Sequence, residues 1–285
     1  MQLTIHHHLR TPGVDRWLDR FDRVLLRVGR DSAPLPATQP LRSMAGYPLQ
    51  AQLWWPEGPG PFPMVVVIPD HGDTGLRLCG SDSVLQPQEL TRRGIACATL
   101  DLAGRGSSWG EDDFGGPEHQ DNIVQLIGAL RADPRVRRAG IGLLGLGGGI
   151  QAALGAAHQV AGAVAWVVDW EGPADQETTH SLYGDTHAAC GVDDAQWWSE
   201  RAAVALLARL PCGYVRLQAE EDHRKPGELR HALRCMHAAA DGGLPWFQIN
   251  DHPRGERPLR PQWLGRGLCT ARGALLAKLA ALTAP

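Results

Sequence analysis

The sequence predicts a doubly wound α/β fold with a mostly parallel sheet of about eight strands. The first observation is the apolar run "MVVVIPD", Met64 to Asp70, which is typical of a strand buried on both faces. The second is the regular alternation of strand-like and helix-like segments along the chain. The third is that many predicted strands end in aspartate or histidine, at the sheet edge where functional groups collect in this architecture.

The N-terminal 35 residues are expected to form an accessory segment ahead of the main domain. Trp17, Phe21 and Val28 follow helical spacing there, with aspartate and arginine between them. The proline-rich stretch "SAPLPATQP" predicts a linker, and residues 36–285 are expected to form the α/β domain. The three histidines at positions 6–8 fit either a tag or native strand residues.

Strand and helix predictions alternate through the main domain. The half-buried pattern of "YPLQAQLWWPEG" predicts the entry strand, and after Met64–Asp70 a helix is expected to end at Gly94 and a strand at Asp101. From there helix and strand are predicted in turn, beginning and ending with a helix: "HQDNIVQLIGALRADP", "AGIGLLG", "GIQAALGAAHQ", "VAGAVAWVVDW", "SERAAVALLARLP", "GYVRLQAEED", "ELRHALRCMHAAADGG", "LPWFQIND" and "CTARGALLAKLAAL". Right-handed crossovers would place these helices on both faces of the sheet.

Composition excludes several classes of function. The net charge of -3 gives no basic field for nucleic acid or for an anionic membrane. The six cysteines are scattered and show no zinc-like spacing, and no apolar stretch approaches the length of a membrane span. With no signal-peptide pattern at the N-terminus, we expect a cytoplasmic protein without metal or cofactor. A small-molecule ligand is expected, and homodimer formation is left open.

Four segments in order carry a resemblance to the α/β-hydrolase superfamily: "VVVIPDHGDTG", "GIACATLDLAGRGSS", "GLLGLGGGIQAALGAA", and "YVRLQAEEDH" followed by "FQINDHPRG". They are similar to the strand with its oxyanion loop, the next strand and turn, the nucleophile elbow, and the acid and histidine turns. About 75 residues separate the elbow from Asp222, and about 30 more lead to His252. The resemblance covers roughly residues 41–282 and implies a short cap at about 170–200.

The resemblance assigns site roles by position. Gly147 stands where the serine nucleophile would be, so no acyl-enzyme can form there. Gly148 and the loop His71-Gly72-Asp73 would form the oxyanion hole. Asp222 would be the acid and His252 the base, although Asp251 is an alternative inward residue. The entry segment resembles dienelactone-hydrolase-like and prolyl-oligopeptidase-like members, which implies ester or peptide substrates.

Further residues at predicted strand ends are pocket candidates, each with a structural alternative. Asp101 either orients its loop or caps a turn, and the carboxylates Asp169 and Glu171 either do acid–base work or are capping and solvated charges. Tryptophans near the opening of the predicted pocket either line an apolar pocket or belong to the core. The remaining candidates, with those tryptophans, are Ser107, Trp109, Trp170, Trp197, Trp198 and His223.

Other interpretations of the motifs are weaker. "GLGGG" follows a strand, but its glycines do not match a dinucleotide fingerprint, and no Gly-Lys-Ser/Thr follows as a P-loop requires. A serine of the turn at Ser107 or Ser108, near Arg105, is an alternative nucleophile. The predicted cap contains residue types that bind zinc, but their spacing matches no known zinc site: His180, Asp185, His187 and Cys190.

Three functions therefore stay open after the sequence. The first is a non-hydrolytic protein that binds a small molecule or partner in a vestigial active site. The second is a hydrolase or lyase that uses the retained histidine, the acid and the oxyanion loop without the elbow serine. The third is a serine hydrolase whose nucleophile has been replaced.

Overall fold

The computed structural model describes most of the main domain: residues 36–79, 83, 85–183, 192–219, 230–256 and 272–284. The expected N-terminal segment, residues 1–35, lies outside this range. The boundary at residue 36 and the predicted cap, of which residues 184–191 also lie outside, stay predictions.

The described residues form one eight-stranded sheet, whose strands all belong to the main domain. Their bounds are β1 Ala37–Arg42, β2 Pro48–Trp54, β3 Phe62–Ile68, β4 Ala96–Asp101, β5 Val136–Leu146, β6 Val164–Trp170, β7 Gly213–Leu217 and β8 Phe247–Ile249. The spatial order is β1-β2-β4-β3-β5-β6-β7-β8. Pairing is antiparallel from β1 to β2 and from β2 to β4, and parallel elsewhere. The predicted fold class is confirmed.

One strand was not predicted. The second half of "SAPLPATQP" was expected to be linker, but Ala37–Arg42 pairs with β2 as the edge strand β1. Pro40 lies inside it, which an edge strand tolerates because one side of its backbone has no ladder to donate to. The proline signal that predicted a linker is therefore also the signal of a sheet edge.

Helices cover both faces of the sheet. Their bounds are α1 Pro87–Thr91, α2 Pro117–Ala132, α3 Gly149–Gln159, α4 Gln176–Tyr183, α5 Ala195–Ser199, α6 Ala203–Leu207, α7 Arg230–Asp241 and α8 Arg272–Thr283, and Gly75–Cys79 forms a 3₁₀ turn. The single helix expected over "SERAAVALLARLP" is wrong. The end of α5 and the separate α6 share that stretch, and a turn at Glu200–Arg201 divides them.

Strand β3 shows why the sheet needs both layers. Val66 and Ile68 pack into one core with α2, α3 and α7, while Val65 and Val67 pack into a second core that includes residues of α1 and α8. All four side chains are buried, as expected of a central parallel strand. No helix among the described residues is long and apolar enough to cross a membrane.

The parallel register brings the carboxyl ends of the central strands to one edge. Ile68 lies opposite Gly145, Gly145 opposite Asp169, and Asp169 opposite Arg216. The residues that follow these positions therefore meet at that edge, which is where the candidate site lies.

Candidate active site at the turn after β5

The turn between β5 and α3 has the geometry of an elbow. Gly147 lies in the left-handed region with φ +50°, and its N–H donates to the carbonyl of Trp170 at 2.9 Å. A residue with a side chain would be strained in this conformation, whereas glycine adopts it without a Cβ clash. Helix α3 begins two residues later, so the turn sits at a helix N-terminus, as the sequence predicted.

The space for a side chain at Gly147 is taken by Asp70, which follows β3. A Cβ placed on Gly147 would lie 2.5 Å from Cγ of Asp70 and 2.7 Å from Oδ2, with Oδ1 closer still. These separations are well inside van der Waals contact. A serine at position 147 therefore cannot coexist with Asp70 in its present position.

The Asp70 carboxylate lies in a pocket of three hydrogen-bond donors. Its Oδ1 accepts from the backbone N–H of Gly148 at 2.6 Å, from the backbone N–H of His71 at 2.7 Å and from the hydroxyl of Tyr183 at 2.6 Å. Hydrogen bonds to a carboxylate are about twice as strong as neutral ones. Asp70 is only 7% exposed. Two of these donors, the amides of Gly148 and His71, belong to the predicted oxyanion hole, and here they bind an oxygen of the protein itself.

The residues of the predicted oxyanion loop differ in their contacts. His71 supplies its amide to Asp70, while Asp73 closes the turn by donating its N–H to the Asp70 carbonyl at 3.0 Å. Gly72 is exposed in the left-handed region, with φ +73°. Gly148 supplies the amide after the elbow.

The His71 ring packs against the elbow. Its Nε2 lies 3.0 Å from Oε1 of Gln151 on α3, and its ring makes an edge contact with Tyr183 at 5.1 Å between centroids. A Cβ on Gly148 would lie 2.7 Å from Cγ of His71, with Cδ2 closer still. The second elbow glycine is therefore required because the imidazole lies directly on the backbone.

Arg105, on the turn after β4, holds the loop that carries Asp70 and His71. Its guanidinium binds both oxygens of Asp112, at 2.7 and 2.9 Å, and Nη1 donates to the Asp70 carbonyl at 3.3 Å. Nη2 lies 3.4 Å from Nδ1 of His71. Burial raises the pKa of Asp112, but the hydrogen bond and charge of Arg105 outweigh burial and lower it to about 2. This ion pair is therefore formed at any pH near neutral.

His119, on α2, is a neutral neighbour of this ion pair. Burial and the charge of Arg105 lower its pKa to about 4, against the opposing effect of Asp112. Its Nε2 lies 3.0 Å from the Ala103 carbonyl, and its Nδ1 accepts from the N–H of Gly115 at 3.0 Å. The ring thus ties α2 to the turn that carries Arg105.

Asp101 and the serines after it organise this turn. Asp101 accepts from the N–H of Gly75 at 2.8 Å and of Ser107 at 2.9 Å, and burial raises its pKa against these two bonds. The Ser108 hydroxyl donates to the Asp101 carbonyl and accepts from the N–H of Gln50 at 2.9 Å. Ser107 is exposed. Within the described part of the chain, neither serine hydroxyl has a hydrogen bond to a histidine.

The carboxylates at the end of β6 are buried and hydrogen-bonded. Asp169 accepts from Arg216 at 2.6 Å and from the Tyr214 hydroxyl at 2.6 Å, and all three are fully buried. Glu171 accepts from the N–H of Ala219 at 2.8 Å. Both carboxylates thus join β6 to β7, and half-buried Trp170 lies between them in sequence.

The acid and histidine turns are only partly described. Asp222 and His223 lie outside the described residues, and their roles stay predictions. His252 is half-buried after β8, where its N–H donates to the Ile249 carbonyl at 3.0 Å. Its alternative, Asp251, pairs with Lys278 on α8 at 2.9 Å and is directed to that helix.

The cap residues and tryptophans are dispersed. Trp109 is 67% exposed, Trp198 is buried with its Nε1 donating to the Val192 carbonyl at 2.8 Å, and Trp197 stacks on Arg201. His180 lies on α4, while its proposed zinc partners Asp185, His187 and Cys190 are outside the described residues.

Comparison with known proteins bears on the fold. No protein-family model matches the chain, and no curated protein matches its sequence at a significant level. Three solved structures are similar: a Mycobacterium tuberculosis puromycin-hydrolysing peptidase at TM-score 0.63 and 19% identity, Porphyromonas gingivalis dipeptidyl peptidase 4 at 0.67 and 17%, and the 2,6-dihydroxy-pseudo-oxynicotine hydrolase at 0.61 and 19%.

This is the α/β-hydrolase fold. The matches cover 86%, 92% and 93% of this chain. They cover 37%, 37% and 72% of the respective neighbours, so the chain spans little more than a third of either peptidase. At these identities the likeness extends to the fold, and the site must be argued from its own residues.

Sequence reasoning missed two members of the site. Asp70 was noted as a strand-end aspartate but was given no role, and Tyr183 was not considered. The available signal for Asp70 was its position immediately before the predicted oxyanion loop. Tyr183 gave no local signal, because its contact with Asp70 joins residues 113 positions apart.

Proposed function

We propose that this α/β-hydrolase-fold protein binds a small molecule at the elbow and does not perform serine-dependent hydrolysis. The observation that carries the proposal is the Asp70 carboxylate, which occupies the side-chain space of Gly147 and accepts from the N–H groups of His71 and Gly148 and from the Tyr183 hydroxyl. The similarity in fold to two peptidases and a hydrolase supports an origin among hydrolases, whereas the present chemistry of the site depends on this carboxylate.

Two physical consequences support the loss of acyl transfer. Gly147 offers no nucleophile, and a substrate carbonyl cannot enter a hole whose donors already bind Oδ1 of Asp70. Displacing a charged acceptor forfeits hydrogen bonds worth about 1.5–3 kcal/mol each. Replacement of a serine by glycine does not by itself explain the site. Asp70 also fills the space of the side chain, and Tyr183 donates a hydrogen bond to its carboxylate.

The carboxylate also selects the class of ligand. A carboxylate at the base of the site favours a ligand that presents a positive charge or a hydrogen-bond donor over an anionic ligand. Arg105 does not reverse this effect, because its guanidinium is already bound by both oxygens of Asp112. The proposed ligand therefore carries a hydrogen-bond donor, a positive charge or no charge at the end that reaches Asp70.

A fluorophosphonate probe tests the loss of serine chemistry. We expect no labelling of the wild type or of Gly147→Ser, because Asp70 blocks both the new side chain and the hole. Labelling is expected to require the double variant Gly147→Ser/Asp70→Gly. Intact-protein mass spectrometry gives the result, and stoichiometric labelling of the wild type or of Gly147→Ser alone would contradict the proposal.

Benzylamine and benzoate, which share a ring but differ in charge, test the ligand class. We expect the thermal unfolding temperature to rise with benzylamine, with about tenfold tighter apparent binding than benzoate. Asp70→Asn should remove this preference. Equal binding of benzoate, or a preference that survives in Asp70→Asn, would show that Asp70 does not face the ligand.

A further inference from the structure

We infer that the cleft at the beginning of β5 binds a small molecule that carries a pyrophosphate or another pair of adjacent phosphate groups. This site is separate from the elbow and does not depend on the proposed function. Strand β5 joins the two places, since it begins at Val136 in the cleft and ends immediately before Gly147. Its 11 residues, at about 3.3 Å per residue, place the cleft on the order of 30 Å from the elbow.

The cleft is positively charged although the chain as a whole is negative. Its volume is about 400 Å³, which lies within the range of small-molecule sites. Residues 131–138 contain four arginines and one aspartate, in a chain with a net charge of -3. The carbonyl end of α2 offsets only about half of one charge. The lining is partly apolar and partly cationic: Pro61, Arg131, Ala132, Asp133, Pro134, Val136, Arg137 and Arg138.

The carboxylate in this lining is already neutralised. Both oxygens of Asp133 accept from Arg135, at 3.1 Å from Nε and 2.7 Å from Nη2, and the Arg135 guanidinium lies 3.9 Å from the centre of the Trp55 ring. In the part of the chain that the structure describes, the other three arginines of the segment have no carboxylate partner: Arg131, Arg137 and Arg138. Their positive charges are therefore available to an anionic ligand.

An irregularity in β5 turns two of these arginines away from the sheet. Between Val136 and Ile141 the strand advances five residues while β3 advances two. Arg137 and Arg138 lie in this excursion and have no partner in the ladder to β3. Bulges of this kind redirect side chains and are common beside functional sites. The excursion thus places guanidinium groups at the cleft that a regular strand would place on the faces of the sheet.

Contacts on both sides hold the excursion in place. Nη2 of Arg137 donates to the carbonyl of Thr283 at the end of α8, at 2.6 Å. A Cβ on Gly140 would lie 2.7 Å from Nε of Arg137, so glycine is needed where this side chain crosses the backbone. On the side of β3, the N–H of Phe62 donates to the Arg135 carbonyl at 2.7 Å. A site held in this way loses less conformational freedom when a ligand binds.

Adjacent phosphate groups suit this cleft better than a single carboxylate. The planar guanidinium binds phosphate oxygens in pairs. Three arginines without a carboxylate partner balance more than one negative charge, which a pyrophosphate supplies and a carboxylate does not. The apolar side chains of Pro61, Pro134 and Val136 provide a surface for an organic substituent beside the charges.

Inorganic pyrophosphate is the probe for the test, titrated by calorimetry at constant ionic strength in metal-free buffer. We expect saturable binding to the wild type at one site per chain. Binding should be about tenfold weaker in Arg131→Gln/Arg138→Gln, which removes two exposed charges. Arg42→Gln is the matched control, because this exposed arginine lies at the end of β1 nearest the carboxyl end of β4. It should bind pyrophosphate within about twofold of the wild type.

Thermal unfolding without ligand confirms that the variants are folded, since the replaced side chains are exposed. No saturable binding of pyrophosphate by the wild type would overturn the inference, and so would equal affinities of the wild type and the double variant. Binding of a single-stranded oligonucleotide that is lost in the double variant, without binding of pyrophosphate, would assign this face to nucleic acid instead. These results leave the elbow untouched, because its ligand is tested separately with Asp70→Asn.

Discussion

Two buried arginines organise the two halves of the sheet edge, and they do so differently. Arg105 serves the half that contains β3 to β5, where it binds Asp112 and lies 3.4 Å from Nδ1 of His71. Arg216 serves the half that contains β6 to β8, where it binds Asp169 and lies 3.0 Å from Nδ1 of His231. Both centres thus combine an arginine, an aspartate and a histidine.

The difference between the two centres is access to water. The side chains of Arg216 and Asp169 are fully buried, whereas Asp112 is 28% exposed beside Arg105. Burial lowers the pKa of Arg216, but Asp169 and other neighbours outweigh it and raise the pKa, so the guanidinium stays charged. The Arg216 centre is therefore a stability element between strands. The Arg105 centre positions a loop at the site. Water can reach its carboxylate, that of Asp112.

The largest predicted effect on stability comes from replacing the arginine of each ion pair. Arg216→Met leaves Asp169 buried and unpaired, and we expect it to lower the free energy of unfolding by about 3–5 kcal/mol. Arg105→Met should cost only about 1–2 kcal/mol, because water can solvate Asp112. Urea denaturation measures both. Replacing the whole pair with Asp169→Leu/Arg216→Met should recover much of the larger loss. Equal losses in the two single variants would remove the distinction.

The next effect concerns pH and comes from His119 beside the Arg105 centre. The pKa of His119 is about 4 in the folded protein, below its ordinary value of 6.5. Between these values the unfolded chain binds a proton that the folded chain does not, so stability is complete above about pH 6.5 and falls as pH decreases. We expect His119 to account for a loss of roughly 3 kcal/mol between pH 7 and pH 4.

His119→Gln is the control for that prediction. The difference between wild type and variant isolates the histidine from carboxylates that titrate in the same acid range. We expect the variant to show a shallower decrease in the free energy of unfolding as the pH falls. Parallel pH profiles would mean that His119 is not held neutral beside Arg105.

Local patterns in the sequence predicted most of the fold and the position of the elbow. The apolar run of β3 and the small-residue helix after Gly147 are periodic features within a few residues, which is why they could be recognised. Pro40 led to the wrong prediction of a linker, because proline occurs both in linkers and in edge strands. The turn between α5 and α6 had no glycine or proline to mark it.

Which residues meet at the site depends on contacts between distant positions, and periodicity does not encode these. Asp70 reaches Gly148 across 78 positions and Tyr183 across 113, and Arg216 reaches Asp169 across 47. A lone arginine in the strand "GYVRL" and a lone aspartate in the neighbouring strand were a usable signal for the last pair. The resemblance directed attention to a missing serine, whereas the carboxylate that fills its place comes from another strand.

The most direct test of the central claim is the binding of acetate to Asp70→Ala. Removing the carboxylate should leave the donors of Gly148, His71 and Tyr183 without their acceptor, so a free carboxylate should replace it. At fivefold excess over its Kd, acetate is predicted to raise the free energy of unfolding of the variant by about 1 kcal/mol and to leave the wild type unchanged. Sodium chloride at equal ionic strength is the control. Equal stabilisation of both proteins, or of neither, would contradict the claim that Asp70 occupies the oxyanion hole.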